Sequence, residues 1–279
     1  MKPQAWITGA GGLIGSQTVR AAPAGWTARG LTRADFDLTD FAVVRAAFAC
    51  ERPQLIIHCA AMSKTGACEA NPDAARLHNV EVTRVLCELA ADIPLIFFST
   101  DLVFDGARGN YTEQDTPNPL NVYARTKLDA EQIVLANPRH TVVRTSLNAG
   151  ATARGDAFNE HWRAAWRRGK ALSLFTDEFR CPIAAEVAAG AVWELAAAQQ
   201  PGLYHLAGAE RLSRFEIGQL LAARWPQWQP RLDGDSVKNF SGPRRSPDCS
   251  LDISKIQRVL RTPLPKFSAW LAENSGVEI

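Results

Sequence analysis

Eight residues near the start constrain this chain more than any others: Thr8-Gly9-Ala10-Gly11-Gly12-Leu13-Ile14-Gly15, spaced T-G-x-x-G-x-x-G. They follow a short apolar run, Ala5–Thr8, and open a stretch with helical periodicity. Each glycine has its own task in such a turn. Gly9 permits a tight reversal, Gly12 keeps side chains away from an approaching ligand, and Gly15 lets helix and strand pack closely. The helix that begins here turns unpaired N–H groups and a partial positive charge toward the same space, which suits a pyrophosphate. Glycines also cluster in ordinary turns, so the strand–turn–helix setting carries the inference. Gly9, Gly12, Leu13, Ile14 and Gly15 are the expected dinucleotide contacts.

The rest of the chain repeats the alternation. Strand-like runs are expected at Ala5–Thr8, Thr27–Leu31, Leu55–His58, Leu95–Ser99, Thr141–Arg144, Leu172–Phe175 and Leu203–Leu206. Helical patterns lie between or after them at Leu13–Ala22, Phe41–Cys50, Pro72–Ala91, Val122–Ala136, Ala184–Ala198 and Arg214–Ala223. Strands alternating with helices of this length predict an α/β fold, a doubly wound parallel sheet of Rossmann type. At 279 residues there is room for that domain and a smaller C-terminal lobe. We expect residues 1–150 to form the dinucleotide-binding domain, with 172–207 completing the sheet. Residues 151–171 and 208–279 form an interleaved substrate-binding lobe, its Trp225–Asp248 stretch rich in Pro, Gly and charge.

Composition narrows the class. A net charge of +2 is too small for a nucleic-acid footprint, and short clusters such as Arg244-Arg245 fit a single phosphorylated ligand at most. The six cysteines include no C-x-x-C pair, so free thiols in a reducing cytoplasm are expected. The first residues faintly mimic a signal peptide, but Gly9, Gly11 and Gly12 break the apolar run at once. No apolar stretch reaches the roughly 20 residues of a membrane span.

The end of the second strand decides which nicotinamide fits. An acidic residue there pairs with a ribose 2′-hydroxyl, an arginine with a 2′-phosphate. Leu31-Thr32-Arg33 supplies the arginine, which favours NADP(H) over NAD(H), although Arg33 also reads as an ordinary surface charge. Asp37 and Leu38 are placed to touch the adenine, and Ala60-Ala61 gives a small-residue floor.

Further on, Asn121-Val122-Tyr123 opens a helix that carries Lys127 one turn later, so Tyr123 and Lys127 share a face. A phenol that ordinarily ionises near pH ~10 is a poor acid–base group at neutrality, and a neighbouring ammonium favours its ionised form. Tyrosine–lysine pairs at this spacing are common by chance. Upstream, however, Ser99-Thr100-Asp101 closes the fourth strand, at the sheet edge where doubly wound folds bind ligands. A hydroxyl, a phenol and an ammonium facing one cofactor make a carbonyl-reduction site.

With these elements in order the chain resembles the extended short-chain dehydrogenase/reductases, and most closely the dTDP-4-dehydrorhamnose reductase family. The likeness spans nearly the whole chain. It rests on Thr8–Gly15, Ser99-Thr100-Asp101 with Val103-Phe104, Asn121 through Lys127, Arg144-Thr145-Ser146, Gly202–Leu206, and Arg244-Arg245 before Leu251-Asp252. The resemblance implies Thr100, Tyr123 and Lys127 as catalytic trio and Asn79 as a supporting residue. It adds Ser99, Tyr123 and Lys127 to the cofactor contacts, Lys127 through the nicotinamide ribose, and implies Asp101, Asn148, Arg244 and Arg245 for the substrate. A nucleotide-linked keto sugar is the implied partner molecule, with homodimer formation left open. Leu102 and Leu147 stand where the family often has aromatics, Ala124 replaces a common Gly, and Arg180 and Cys181 replace smaller residues.

The expected reaction is NADPH-dependent reduction of the keto group, with the proton from Tyr123, the carbonyl polarised by Thr100 and the phenol tuned by Lys127. Two rivals stand beside it: a nucleotide-sugar epimerase with tightly held NAD, and a non-catalytic regulatory subunit that keeps the dinucleotide as a structural ligand.

Overall fold

The computed structural model describes residues 2–152, 155, 157–277 and 279. Within the expected lobe segment 151–171, residues 153, 154 and 156 lie outside the described residues. The strands are β1 (Gln4–Thr8), β2 (Thr27–Leu31), β3 (Leu55–His58), β4 (Leu95–Thr100), β5 (Thr141–Thr145) and β6 (Asn148–Ala149). They continue as β7 (Leu172–Phe175), β8 (Phe179–Arg180), β9 (Ile183–Ala184), β10 (Gly202–Leu206), β11 (Leu212–Ser213) and β12 (Leu232–Asp235). The helices are α1 (Leu13–Arg20), α2 (Phe41–Glu51), α3 (Thr65–Ala70), α4 (Pro72–Arg76), α5 (Val82–Leu89) and α6 (Val122–Leu135). After them come α7 (Phe158–Arg167), α8 (Ala185–Ala198), α9 (Arg214–Ala222), α10 (Ser254–Gln257) and α11 (Phe267–Glu273).

Six strands form the central parallel sheet in the order β10-β5-β4-β3-β1-β2. Its middle strands are apolar on both faces because helices cover both. Alternate residues face opposite ways along a strand. Ile7, Ile57, Phe98 and Val143 therefore join one core, shared with Val192 and Trp193 of α8. Trp6, Ile56, Phe97 and Val142 join the other, against Val44 of α2, Leu86 of α5 and Val134 of α6. Each fully buried Ile or Phe contributes on the order of 2 kcal/mol in area terms. Chain direction splits at β1, whose neighbours are β2 and β3, and the crevice at the carboxyl ends of these strands is where such sheets bind ligands.

Two expectations on the elements need correction. The run Leu172–Phe175 is a strand, but it pairs in parallel with β12 rather than joining the central sheet; of the 172–207 segment only β10 does so. Its residues pack with Trp162, Ile217, Phe267 and Trp270 in a separate core built from α7, α9, β12 and α11. The helix expected over Pro72–Ala91 is broken: α4 passes into a π-helical turn at Leu77–Glu81 before α5 resumes. α3, which had no periodic signal, is added before it. All six cysteines are free thiols, and no helix among the described residues is long and apolar enough to cross a membrane.

Candidate active site

The glycine turn joins β1 to α1 with the geometry its sequence demands. Gly9 has φ +69°, and a Cβ there would lie 2.7 Å from the Ala60 backbone N. A Cβ on Gly15 would come within 2.3 Å of the Gly9 carbonyl oxygen. Thr8 ties the turn to the neighbouring loop: its hydroxyl is 2.7 Å from His58 Nδ1 and accepts from the Cys59 and Ala60 backbone N–H groups at 3.2 Å. The N-cap of α1 is Gly12, so no side chain caps the helix and its first N–H groups face the cleft.

That cleft, with a volume of about 410 Å³, gathers the expected residues. Gly9, Gly12, Leu13, Ile14 and Gly15 line it on one side, with Ala60 and Ala61 as floor and Arg33, Asp37 and Leu38 at one end. Ser99, Thr100, Tyr123, Lys127 and Asn148 line the other end. The acids near Arg33 are already bonded: Asp35 to Arg29 at 2.8 Å and to the Thr32 N–H at 2.9 Å, Asp37 to the Thr39 N–H and hydroxyl at 2.9 Å. Arg33 has no hydrogen bond or ion pair among the described residues and is exposed at the cleft. An uncapped helix start and a backbone without Cβ atoms fit the phosphates of a nicotinamide dinucleotide.

The chemistry-bearing end is built from three elements. Asn121 caps α6 by accepting from the Ala124 N–H at 3.0 Å, which sets Tyr123 and Lys127 on the face toward the cleft. Thr100 ends β4, where its hydroxyl donates to Asp101 Oδ1 and accepts from the Leu102 N–H, both at 3.2 Å. Asn79, placed inward by the π-helical turn, does not line the cleft. It accepts from the Met62 N–H at 2.8 Å and donates to Thr126 Oγ1 at 2.9 Å, locking the loop after β3 to α6. Asn148 donates to Thr145 Oγ1 and the Ser146 carbonyl, while its buried Oδ1 has no partner among the described residues.

The electrostatics correct one expectation. Burial, and next the charge of Asp101, push the Tyr123 phenol above its ordinary value, and only the adjacent Thr100 hydroxyl acts the other way. Lys127 is not among the groups that depress it. The phenol thus holds its proton at neutral pH, as a proton donor must. Lys127 is itself pushed down to about 7, by burial against the attraction of Glu131, with its Nζ 3.8 Å from the Phe97 ring centroid.

A second cavity of about 250 Å³ shares Thr100 and Ser146 with the first and is lined by Asp101, Leu102, Leu147, Glu178, Arg180, Arg214, Arg244 and Arg245. Burial pushes the Asp101 carboxyl up, while Arg180 and the Ser146 hydroxyl, which donates to it at 2.7 Å, pull it down. The two arginines singled out by sequence behave differently. Arg245 lines the cavity, but its guanidinium is committed to Glu178 through two bonds of 2.7 and 2.8 Å. Arg244 is exposed and its side chain makes no bond to the described residues. Sequence reasoning missed Arg214 and Glu178. Arg214 stands at the start of α9, 5.2 Å from the Phe158 ring centroid and 4.9 Å from that of Trp162, and is pushed down to about 10 by burial. A capping box, Ser213 to Glu216, was the available signal for that position.

Comparison with known proteins agrees with this geometry. A family model described as the RmlD substrate binding domain matches residues 4–275. The chain is 30% identical to methionine adenosyltransferase 2 subunit beta of Rattus norvegicus, over 95% of this chain and 86% of that one. It is also 30% identical to the probable low-salt glycan biosynthesis reductase Agl14 of Haloferax volcanii, over 96% of both. Among solved structures, dTDP-4-dehydrorhamnose reductase from Bacillus anthracis in complex with NADP superposes with a TM-score of 0.91 at 23% identity, covering 98% of each chain.

Proposed function

Because the chain belongs to the RmlD substrate binding domain family, we propose that it reduces a keto group on a nucleotide-linked sugar, with hydride supplied by bound NADPH and the proton by Tyr123. In coarser terms it is an NAD(P)-dependent oxidoreductase. The observation that carries the reading is the meeting of Thr100, Tyr123 and Lys127 with the glycine turn on one cleft, the phenol protonated.

The roles follow from placement. The free N–H groups of α1 take the pyrophosphate, and Arg33 takes the 2′-phosphate that marks NADP. Thr100 polarises the ketone, Tyr123 delivers the proton to the developing alkoxide, and Lys127 holds the nicotinamide ribose. General acid help of this kind is worth about 10²–10⁴ in rate. Of the described residues, 151–171 and 208–279 form the substrate lobe except for residues 253–264, which pack in the core of the central sheet, and Arg244 in that lobe is placed to meet the diphosphate. Leu102 and Leu147 border the sugar's place with apolar side chains.

A second reading is favoured by one finding, the likeness to a relative named as a subunit of methionine adenosyltransferase. Oxidation of NADPH and NADH against a panel of nucleotide-linked 4-keto sugars separates the two. Turnover with at least one sugar and preference for NADPH are expected of the reductase. Tight NADPH binding with no reduction across the panel, together with a stable protein partner, would replace it by the subunit reading.

A further inference from the structure

Two buried cations, Lys127 on the cleft and Arg144 beside it, stand near one buried acid, Glu131, which is ion-paired with Arg144 and one helical turn from Lys127. Glu131 lies one turn beyond Lys127 on α6, so Tyr123, Lys127 and Glu131 follow one another along the same face of the helix. Its carboxylate receives the Arg144 fork from β5, Nε to Oε1 at 3.0 Å and Nη2 to Oε2 at 2.7 Å, with side chains 4% and 2% exposed. The hydroxyl of Ser99, a residue that lines the cleft, donates to the same Oε1. Arg144 Nη1 is left buried without a partner among the described residues, and the guanidinium lies 5.0 Å from the Phe104 ring centroid.

A buried pair of this kind adds little stability over apolar residues of similar size. Its position behind Lys127 suggests another use. We propose that Glu131 is a positioning residue for the reaction: its carboxylate holds Lys127 in the charged form, and Arg144 limits that hold by claiming the same carboxylate. The catalytic consequence rests on the reductase reading.

The groups around Lys127 leave Glu131 as its counter-charge. From β3 and the loop beyond it, His58 is pushed down to about 3 and Cys59 up to about 12, so both are neutral at working pH. Tyr123 on the same helix keeps its proton. Ser99 on β4 contributes a hydroxyl and Arg144 on β5 a positive charge. Burial drives Lys127 down to about 7, and the Glu131 carboxylate is the main charge opposing that fall.

The test is the titration of Lys127, followed by NMR of ε-¹³C-labelled lysine in the cofactor-free protein, with its signal assigned by loss in K127M. In E131Q the titration should fall by about one pH unit or more, because the anion is gone and Arg144 remains. In R144M it should rise, because Glu131 then serves Lys127 alone. The double variant E131Q/R144M removes both charges, guards against misfolding of a lone buried cation, and should fall between E131Q and the wild type. A structural pair would leave the titration unmoved or shift it the same way in both single variants, and either result overturns the proposal, as does a double variant at or above wild type. Because Lys127 is proposed to hold the nicotinamide ribose, the pH profile of the KM for NADPH should move in the same sense. Since the NMR readout needs no substrate, opposite shifts without any keto-sugar turnover would remove the reductase reading and leave the Glu131 role standing.

Discussion

The proposed preference for NADPH turns on Arg33. Its neighbours Asp35 and Asp37 are bonded to Arg29, Thr32 and Thr39, whereas its own guanidinium lines the cleft without a hydrogen bond or ion pair among the described residues. A charge-assisted bond is worth about 1.5–3 kcal/mol. Arg33→Ala should therefore raise KM for NADPH about 10–100-fold and leave KM for NADH nearly unchanged. Steady-state kinetics with both cofactors checks this, and an equal effect on the two would remove Arg33 from phosphate recognition. The residues that touch the cleft were legible because their types and spacings are local: a glycine turn, a tyrosine with a lysine one turn on, a threonine at a strand end. What escaped was long-range pairing. Nothing near Arg245 announces that Glu178, 67 positions away, will claim it, and nothing near Lys127 announces Arg144 as a rival for Glu131.

Among elements, the strands of the central sheet were readable because burial on both faces makes them short apolar runs, and Thr27–Leu31 and Leu55–His58 occur as the pattern predicts. Partner choice was not. Leu172–Phe175 has the same local character as its neighbours, yet its register with Leu232–Asp235 is set by the third core, formed by residues far apart in the chain. The Pro72–Ala91 pattern predicted one helix, and its start was correct, with Asn71 capping and Pro72 at the first position. The π-helical turn within it follows no apolar period. It places Asn79 inward, where the amide joins the loop after β3 to α6; such turns are frequent at functional sites.

For the whole molecule, two histidines buried in the fold couple its stability to acid. His58 is pushed down to about 3, by burial first and then by Lys127, and His205 to about 4, by burial first and then by Arg144. Both folded values lie below the ordinary 6.5, so the unfolded chain takes up protons that the folded one refuses, and stability falls as pH drops below 6.5. Urea unfolding should show a loss of about 4 kcal/mol between about pH 6.5 and 4.5. A flat profile over that window would mean that the two rings are not held neutral. The same fold brings β1, β4, α6 and the turn after β5 to one cleft, and adds Glu178, Arg180, Arg214, Arg244 and Arg245 in the adjoining cavity.

Everything proposed for the reaction depends on Tyr123 giving the proton in a keto reduction whose cofactor site is independent of it. NADPH affinity and turnover of Tyr123→Phe should therefore be measured beside the wild type, with a nucleotide-linked keto sugar that the wild type reduces. The Kd for NADPH should be unchanged and kcat lowered by about 10²–10⁴. Near-normal turnover in the variant would contradict the role given to the phenol.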